Sequence, residues 1–431
     1  MKNFQIVTII IFIALAVFGV LVFSGAIPIG NDDTPGGLGT VVLWGTVDGT
    51  IMAPLLEEFN NANPTFTVKY EQKRINNFDQ ELLEALASGV GPDMFFLPDD
   101  LAFHYANKIF PIPYESYPLV SFKNNFAGAG EVFLTSRGIL AFPLSIDPLM
   151  MYYNRSQLDA DGIIRPPALW DDLVGMVSKL TKKNDSNKII KSAVALGHFS
   201  NVTHAKDILS ALFMQTGNSI VMEQNGIFNS NLDTPNPKYN LASILKFYTD
   251  FADPNNKDVY SWNKSFPNSS DSFSKEDLTF YFGFANELVP LINKNPNQNL
   301  AVAPIPQIRN SNFKLTSARV MGIAILSSSK NFNTAFTAAS LMATGDFALK
   351  FATLLGVAPA RRDLLAIKPG DAYSPIFYDS ALYARSYLDP SDKDTDNIFR
   401  NMIDGVLSNN MTVQSAISDA SSKLGLLLLN Q

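Results

Sequence analysis

Thr40-Val-Val-Leu-Trp-Gly-Thr-Val-Asp-Gly-Thr50 opens the folded part of the chain. Its first five residues are β-branched or apolar, the pattern of a strand buried on both faces. Thr50 is placed to cap a helix on which Ile51, Leu55, Leu56 and Phe59 share one face, and Asn63-Pro64 ends it. Thr67-Val-Lys-Tyr70 alternates polar and apolar residues, as a second strand does. Asn77 and Gln80 read as a capping pair ahead of Phe78, Leu82 and Leu86, with Gly89 as the stop. Met94-Phe-Phe-Leu97 is a third strand, again apolar throughout. Strand, helix, strand, helix, strand at this spacing predicts an α/β fold with parallel strands and right-handed crossovers. Ligands in such sheets gather at the carboxyl ends of the strands. Those ends carry Trp44 and Asp48 after the first strand, and Asp99 and Asp100 after the third.

The chain has 431 residues, enough for two packed lobes, and a hydrophobic fraction of 46% with 17% charged residues fits globular cores. Its formal net charge is −7, and the basic run Lys179 to Lys191 lacks any aromatic, so it reads as a solvated loop and no nucleic-acid partner is expected. The absence of cysteine excludes disulfides, thiolate nucleophiles and a lipid-modified cysteine anchor. Of three histidines, His198 and His204 lie six apart, not the four that puts two ligands on one helix face, so neither a zinc site nor another cofactor is expected. No phosphate-binding loop, H-E-x-x-H or G-x-S-x-G pattern occurs. Glu57-Glu58 and Asp171-Asp172 are adjacent on helices and diverge by about 100°, so neither pair can flank one bond. The reading is therefore not an enzyme; Asp100 facing Asp147 across a cleft keeps a glycoside hydrolase as the enzymatic alternative.

Ile6 to Phe23 is almost unbrokenly apolar. A run of about 18 residues approaches the ~20 that span a bilayer as a helix. Lys2 precedes it, Asp32 and Asp33 follow, and the next basic residue is Lys69, which keeps the N-terminus inside and the rest outside the cytoplasm. Residues 1–25 are read as a single-pass membrane anchor or a signal cut near Ser24-Gly25-Ala26, and 26–39, with Pro28, Pro35 and Gly36-Gly37, as a flexible linker.

From Val41 through Phe59, Pro64, Val68 and Tyr70, and then Ala87-Ser-Gly-Val-Gly-Pro-Asp93, the chain resembles the opening of family 1 extracellular solute-binding proteins, the relatives of maltose-binding protein. Ile139-Leu-Ala-Phe-Pro-Leu-Ser-Ile-Asp147, Met151-Tyr-Tyr-Asn154, Pro167-Ala-Leu-Trp-Asp171, Phe280-Tyr-Phe-Gly283 and Gly356-Val-Ala-Pro359 continue the likeness in order. The resemblance implies a two-lobe periplasmic-binding-protein type II-like fold with several hinge crossings, preceded here by one N-terminal transmembrane helix. Carried over, one lobe combines 40–146 with 320–357 and the other 147–319 with 358–431. It further implies a monomeric receptor outside the cytoplasm that hands a small polar solute, usually a sugar or oligosaccharide, to the membrane permease of an ABC importer.

The site residues implied are Trp44, Asp48, Asp99, Asp100 and Asp147 from one side and Phe199, Asn201, Phe284 and Asn286 from the other, with Arg319 at a hinge crossing. Carboxylates accept hydrogen bonds from hydroxyls and aromatic faces cover C–H surfaces. The competing readings are core packing for Phe199 and Phe284, and helix capping or loop solvation for Asp48, Asp99 and Asp100. The chain departs from sugar-binding relatives in having Leu97 and Phe284 where tryptophan is common, and only three tryptophans in all. An Asp-rich, tryptophan-poor cleft suits an amine-bearing solute, a polyamine or amino sugar, as the alternative ligand. A sensory or scaffold protein on the same fold is a third reading. Elsewhere, Trp170, Leu173, Val174, Val177 and Leu180 predict a buried helix face, Asn225–Tyr239 and Pro254–Ser274 loops, and Phe332–Phe351 one or two buried helices.

Overall fold

The computed structural model describes residues 38–235 and 240–429. The expected anchor or signal, 1–25, and all but the end of the linker lie outside the described residues, among which no helix is long and apolar enough to cross a membrane.

Three parallel strands begin the fold: β1 (Thr40–Gly45), β2 (Thr67–Gln72) and β3 (Met94–Pro98), with Val41 opposite Val68 and Leu43 opposite Met94. The helix Gly49–Ala62 joins the first two, and Phe78–Ala87 leads to the third. The first helix buries Met52, Leu55, Leu56 and Phe59 rather than Ile51, since the apolar stripe turns one residue from the expected face. Each such side chain stabilises by about 1.5–3 kcal/mol before entropy is counted. Its cap is Asp48, which accepts from the Thr50 N–H at 2.7 Å. The expected Asn77–Gln80 capping pair does not form: Asn77 makes no side-chain cap bond, and Gln80 donates to Glu84 instead. Gly89 does end that helix, at φ 71°, where the left-handed conformation favours glycine.

What organises the molecule is one long strand, Ala141–Asn154, buried at all 14 positions. Its first half runs antiparallel to the return strand Thr316–Ile325, which in turn pairs with β3. From Leu149 onward the partners change to the strands Leu278–Phe284 and Leu300–Pro304. One strand thus serves two α/β lobes, and the exchange of partners falls at Asp147-Pro148, where proline has no N–H to give a ladder. The return strand crosses at the same level, with Arg319 directly opposite Asp147 and Ala318 opposite Pro148. Its first residues, Thr316 and Ser317, pair with Ala384–Arg385, so the crossing is braced from the chain's last third.

The second lobe packs the helix Trp170–Leu180, with Trp170, Leu173, Val177 and Leu180 buried, and the helix Ala205–Gln215, covered on nearly every side. Phe332–Phe351 contains two helices, Phe332–Ala343 and Asp346–Leu354. Two stretches read as loops hold regular structure: Lys182–Lys183 pairs with the strand Ile189–Val194, and Ile227–Ser230 forms a hairpin with Val221–Gln224. A short helix, Ser269–Ser274, ends the Pro254–Ser274 excursion.

Candidate ligand-binding site

A cavity of about 640 Å³ lies where the two strands cross, in the size range of small-molecule sites. The first lobe contributes Pro98, Asp99 and Asp100 from the carboxyl end of β3, and the crossings contribute Ser145, Asp147 and the run Ser317 to Met321. The second lobe contributes Phe199, the start of the helix Ala205–Gln215, Asn286, and the turn from Tyr387 to Asp392.

Six of the residues expected from sequence therefore meet at this cavity: Asp99, Asp100, Asp147, Phe199, Asn286 and Arg319. Four do not line it. Trp44 is 7% exposed, folded into the first-lobe core beneath the Lys73 ammonium, which sits 3.7 Å from the ring centre. Asp48 is spent as a helix cap, and its hydrogen bonds from the Thr50 N–H and hydroxyl hold its carboxyl below the usual range. Asn201 accepts from the Trp262 indole at 3.0 Å and donates to the carbonyls of Asn263 and Phe266, which ties a loop together. Phe284 is fully buried, but it acts at one remove: the Arg319 guanidinium lies 4.1 Å over its ring, with the His204 ring edge-on.

Asp99 accepts from the Val320 N–H at 3.0 Å and from the Ser386 hydroxyl. Burial and then the charge of Asp100 push its carboxyl up to about 7. Asp147 is 8% exposed and accepts from the Asn286 N–H at 3.2 Å; burial pushes it up to about 7 against the pull of that bond and of Arg319. Asp100 is pushed up to about 6, by burial and then by Asp392 and Asp389 of the other lobe. Its buried Oδ1 has no hydrogen-bond partner among the described residues.

The sequence reading found Arg319 but missed Lys206, His204 and the second-lobe acids. Lys206 is buried, with its ammonium 3.0 Å from Asp389, 3.1 Å from Asp396 and in contact with Asp392. Burial disfavours that charge, but Tyr387, Asp389 and Asp392 hold the amine well above its ordinary range. His204, at φ 60°, meets Glu287 at 2.6 Å. Burial opposes its charge too, yet Asp207 and Glu287 together raise it to about 9. Glu287 is fixed in turn by the Phe284 N–H at 2.7 Å and the Tyr281 hydroxyl at 2.5 Å. Arg319 lies 3.8 Å from Asp207. The available signal was the pairing of Lys206-Asp207 at a helix start with Asp389-Pro-Ser-Asp392 at another, both of which also read as ordinary helix-end charges.

Two α/β lobes joined through shared strands, with a polar cavity at the crossing, define a two-lobe binding protein. The family of bacterial extracellular solute-binding proteins matches residues 44–357, and the chain belongs to that family. Among solved structures it is similar to a cyclo/maltodextrin-binding protein complexed with maltotetraose, with a TM-score of 0.72 at 16% identity over 93% of this chain and 100% of that one. It is also similar to the sugar-binding protein MalE from Xanthomonas citri, with a TM-score of 0.71 at 16% identity over 90% of this chain and 97% of that one. A third is an ABC transporter solute-binding protein from Thermotoga lettingae bound with α-D-tagatose, with a TM-score of 0.63 at 19% identity over 90% and 100%. A putative binding protein of Brucella abortus is 23% identical over 152 residues, 34% of this chain. The match spans 36% of that relative's length. At these identities the structural likeness carries the fold.

Proposed function

We propose that the chain is the extracytoplasmic receptor of an ABC importer, taking a small polar solute, foremost a sugar or oligosaccharide, between two closing lobes. The observation that carries this reading is the cavity at the crossing, lined from both lobes around Asp147 and Arg319. A solute touching both walls favours the closed arrangement by its differential contacts, which is what a hinge between two lobes requires. The solved structures of the same fold that hold maltotetraose or tagatose support a sugar. The lobes are taken as 40–146 with 320–357 and 147–319 with 358–431, and the receptor as a monomer without turnover. Residues 1–25 are taken as its membrane anchor, which keeps it at high effective concentration beside its permease.

A thermal-shift screen of the full chain against mono- and oligosaccharides, amino sugars, polyamines and amino acids tests this. A solute at a hundred times its Kd stabilises the fold by about 2.7 kcal/mol. Absence of stabilisation by every class would contradict the receptor reading, as would sustained product release from glycosides. A mature form lacking residues 1–25 would remove the anchor.

A further inference from the structure

Among the described residues seven aspartates line the cavity against four basic side chains. The excess is not evenly spread. Asp389, Asp392 and Asp396 share the Lys206 ammonium, and Asp207 has His204 and Arg319. Asp99, Asp100 and Asp147 have no basic nitrogen within 4.0 Å among the described residues. Asp99 is served by a backbone N–H and a hydroxyl, and Asp147 by the backbone N–H groups of Asn286, at 3.2 Å, and Ala285, although Asp147 is 8% exposed. Asp100 is the least satisfied: its buried Oδ1 accepts no hydrogen bond among the described residues, and Asp392 and Asp389 act on it as like charges from the opposite lobe against the weaker pull of Arg319 and Lys206.

A buried carboxylate is costly unless it is paired, and like charges that face each other across a hinge oppose its closure. The aromatic side of the cavity is thin. Among the described residues Phe199 and Tyr387 are the only phenyl or phenol rings lining it, and the Arg400 guanidinium lies 4.9 Å over the ring of Phe199. A neutral sugar therefore finds little open aromatic surface here, whereas a cation finds carboxylates in excess.

We propose that the solute carries a protonated amine, held by Asp100 of the first lobe with Asp389 and Asp392 facing it from the second. This rests on the receptor reading. The ammonium does for Asp100 what Lys206 does for Asp389, and it turns repulsion across the hinge into attraction, so that charge as well as contact area drives closure. A hydroxyl in the same place donates one hydrogen bond without neutralising anything. The shared chemistry admits two sources, an amino sugar or an open-chain polyamine.

The test is calorimetric titration of the full chain with a matched β-1,4 series: glucosamine oligomers, their N-acetylated counterparts and cello-oligosaccharides, with spermidine as an amine lacking a sugar ring. Tight binding of glucosamine oligomers, at least tenfold weaker binding of both neutral counterparts, and loss of affinity with rising salt are expected. Binding of spermidine in their place identifies an open-chain amine. Asp100→Asn is expected to remove the preference while leaving the unliganded circular dichroism spectrum unchanged. A neutral member, or any neutral sugar of the screen above, bound as tightly as its amine overturns the charge assignment and leaves the receptor intact. Failure of every solute, neutral or cationic, overturns both. An Asp100→Asn variant that keeps the full preference overturns the placement at Asp100. The comparison among solutes is made on the unaltered protein and so does not depend on the variant folding.

Discussion

Asp389, Asp392 and Asp396 converge on the buried ammonium of Lys206, whereas Asp99, Asp100 and Asp147 face the same cavity with no cation in contact among the described residues. Residue type is identical and the electrostatic state is opposite. In the second lobe the acids and Lys206 form a closed network that fixes the turn before the helix Asp392–Leu407 to the helix Ala205–Gln215. In the first lobe and the crossing the acids are held against their own solvation and toward the protonated form, a condition that clusters at functional sites. One group maintains the wall while Asp389 and Asp392 still face the cavity, and the other is left to meet something outside the chain.

The comparison can be broken at its paired half first. Lys206→Met leaves a buried carboxylate, Asp389, without its partner, and a loss of about 3–5 kcal/mol is expected in urea unfolding. An effect below about 1 kcal/mol would mean that the network is not structural. The unpaired half should respond in the reverse way. Asp147→Ala is expected to weaken solute binding by about 1–3 kcal/mol in calorimetry, and unchanged affinity would remove Asp147 from the site.

The pH dependence sharpens the same contrast. Asp99, Asp100 and Asp147 carry folded values of about 7, 6 and 7 against an ordinary 3.8. The folded state therefore holds more protons than the unfolded one between those limits, and stability from these groups falls as pH rises from about 4 to about 7. Unliganded protein should melt higher at pH 5 than at pH 8 on their account, and Asp147→Asn should flatten that slope. A slope unchanged in the variant would contradict the unpaired assignment. The smallest effect concerns His204. Its folded value of about 9 gives stability that is fully present below 6.5 and is lost as pH rises through about 9. With only three histidines in the chain, its imidazole resonances can be followed by NMR, and Glu287→Gln should bring the titration down toward neutral pH.

The three opening strands were legible because each is short-range and patterned, and the apolar run Met94 to Leu97 falls within β3. The cavity was legible where a residue follows a strand directly or sits on a crossing, as Asp99, Asp100, Asp147 and Arg319 do. Trp44 and Asp48 follow the same rule and fail it, since one folds into the core and the other caps a helix, and sequence position alone does not separate those fates from a ligand contact. The Lys206 network was legible only as two sets of helix-end charges. Lys206 and Asp389 are 183 residues apart, and only the tertiary fold converts two helix-end charges into a buried pair.

The most direct test of a solute held between the lobes is hydrogen–deuterium exchange with and without the solute that emerges from the screen. The account predicts simultaneous protection of 98–101 at the end of β3, of 204–210 and of 386–392, because closure dries both walls at once. Protection confined to one lobe, or none at saturating solute, would contradict it.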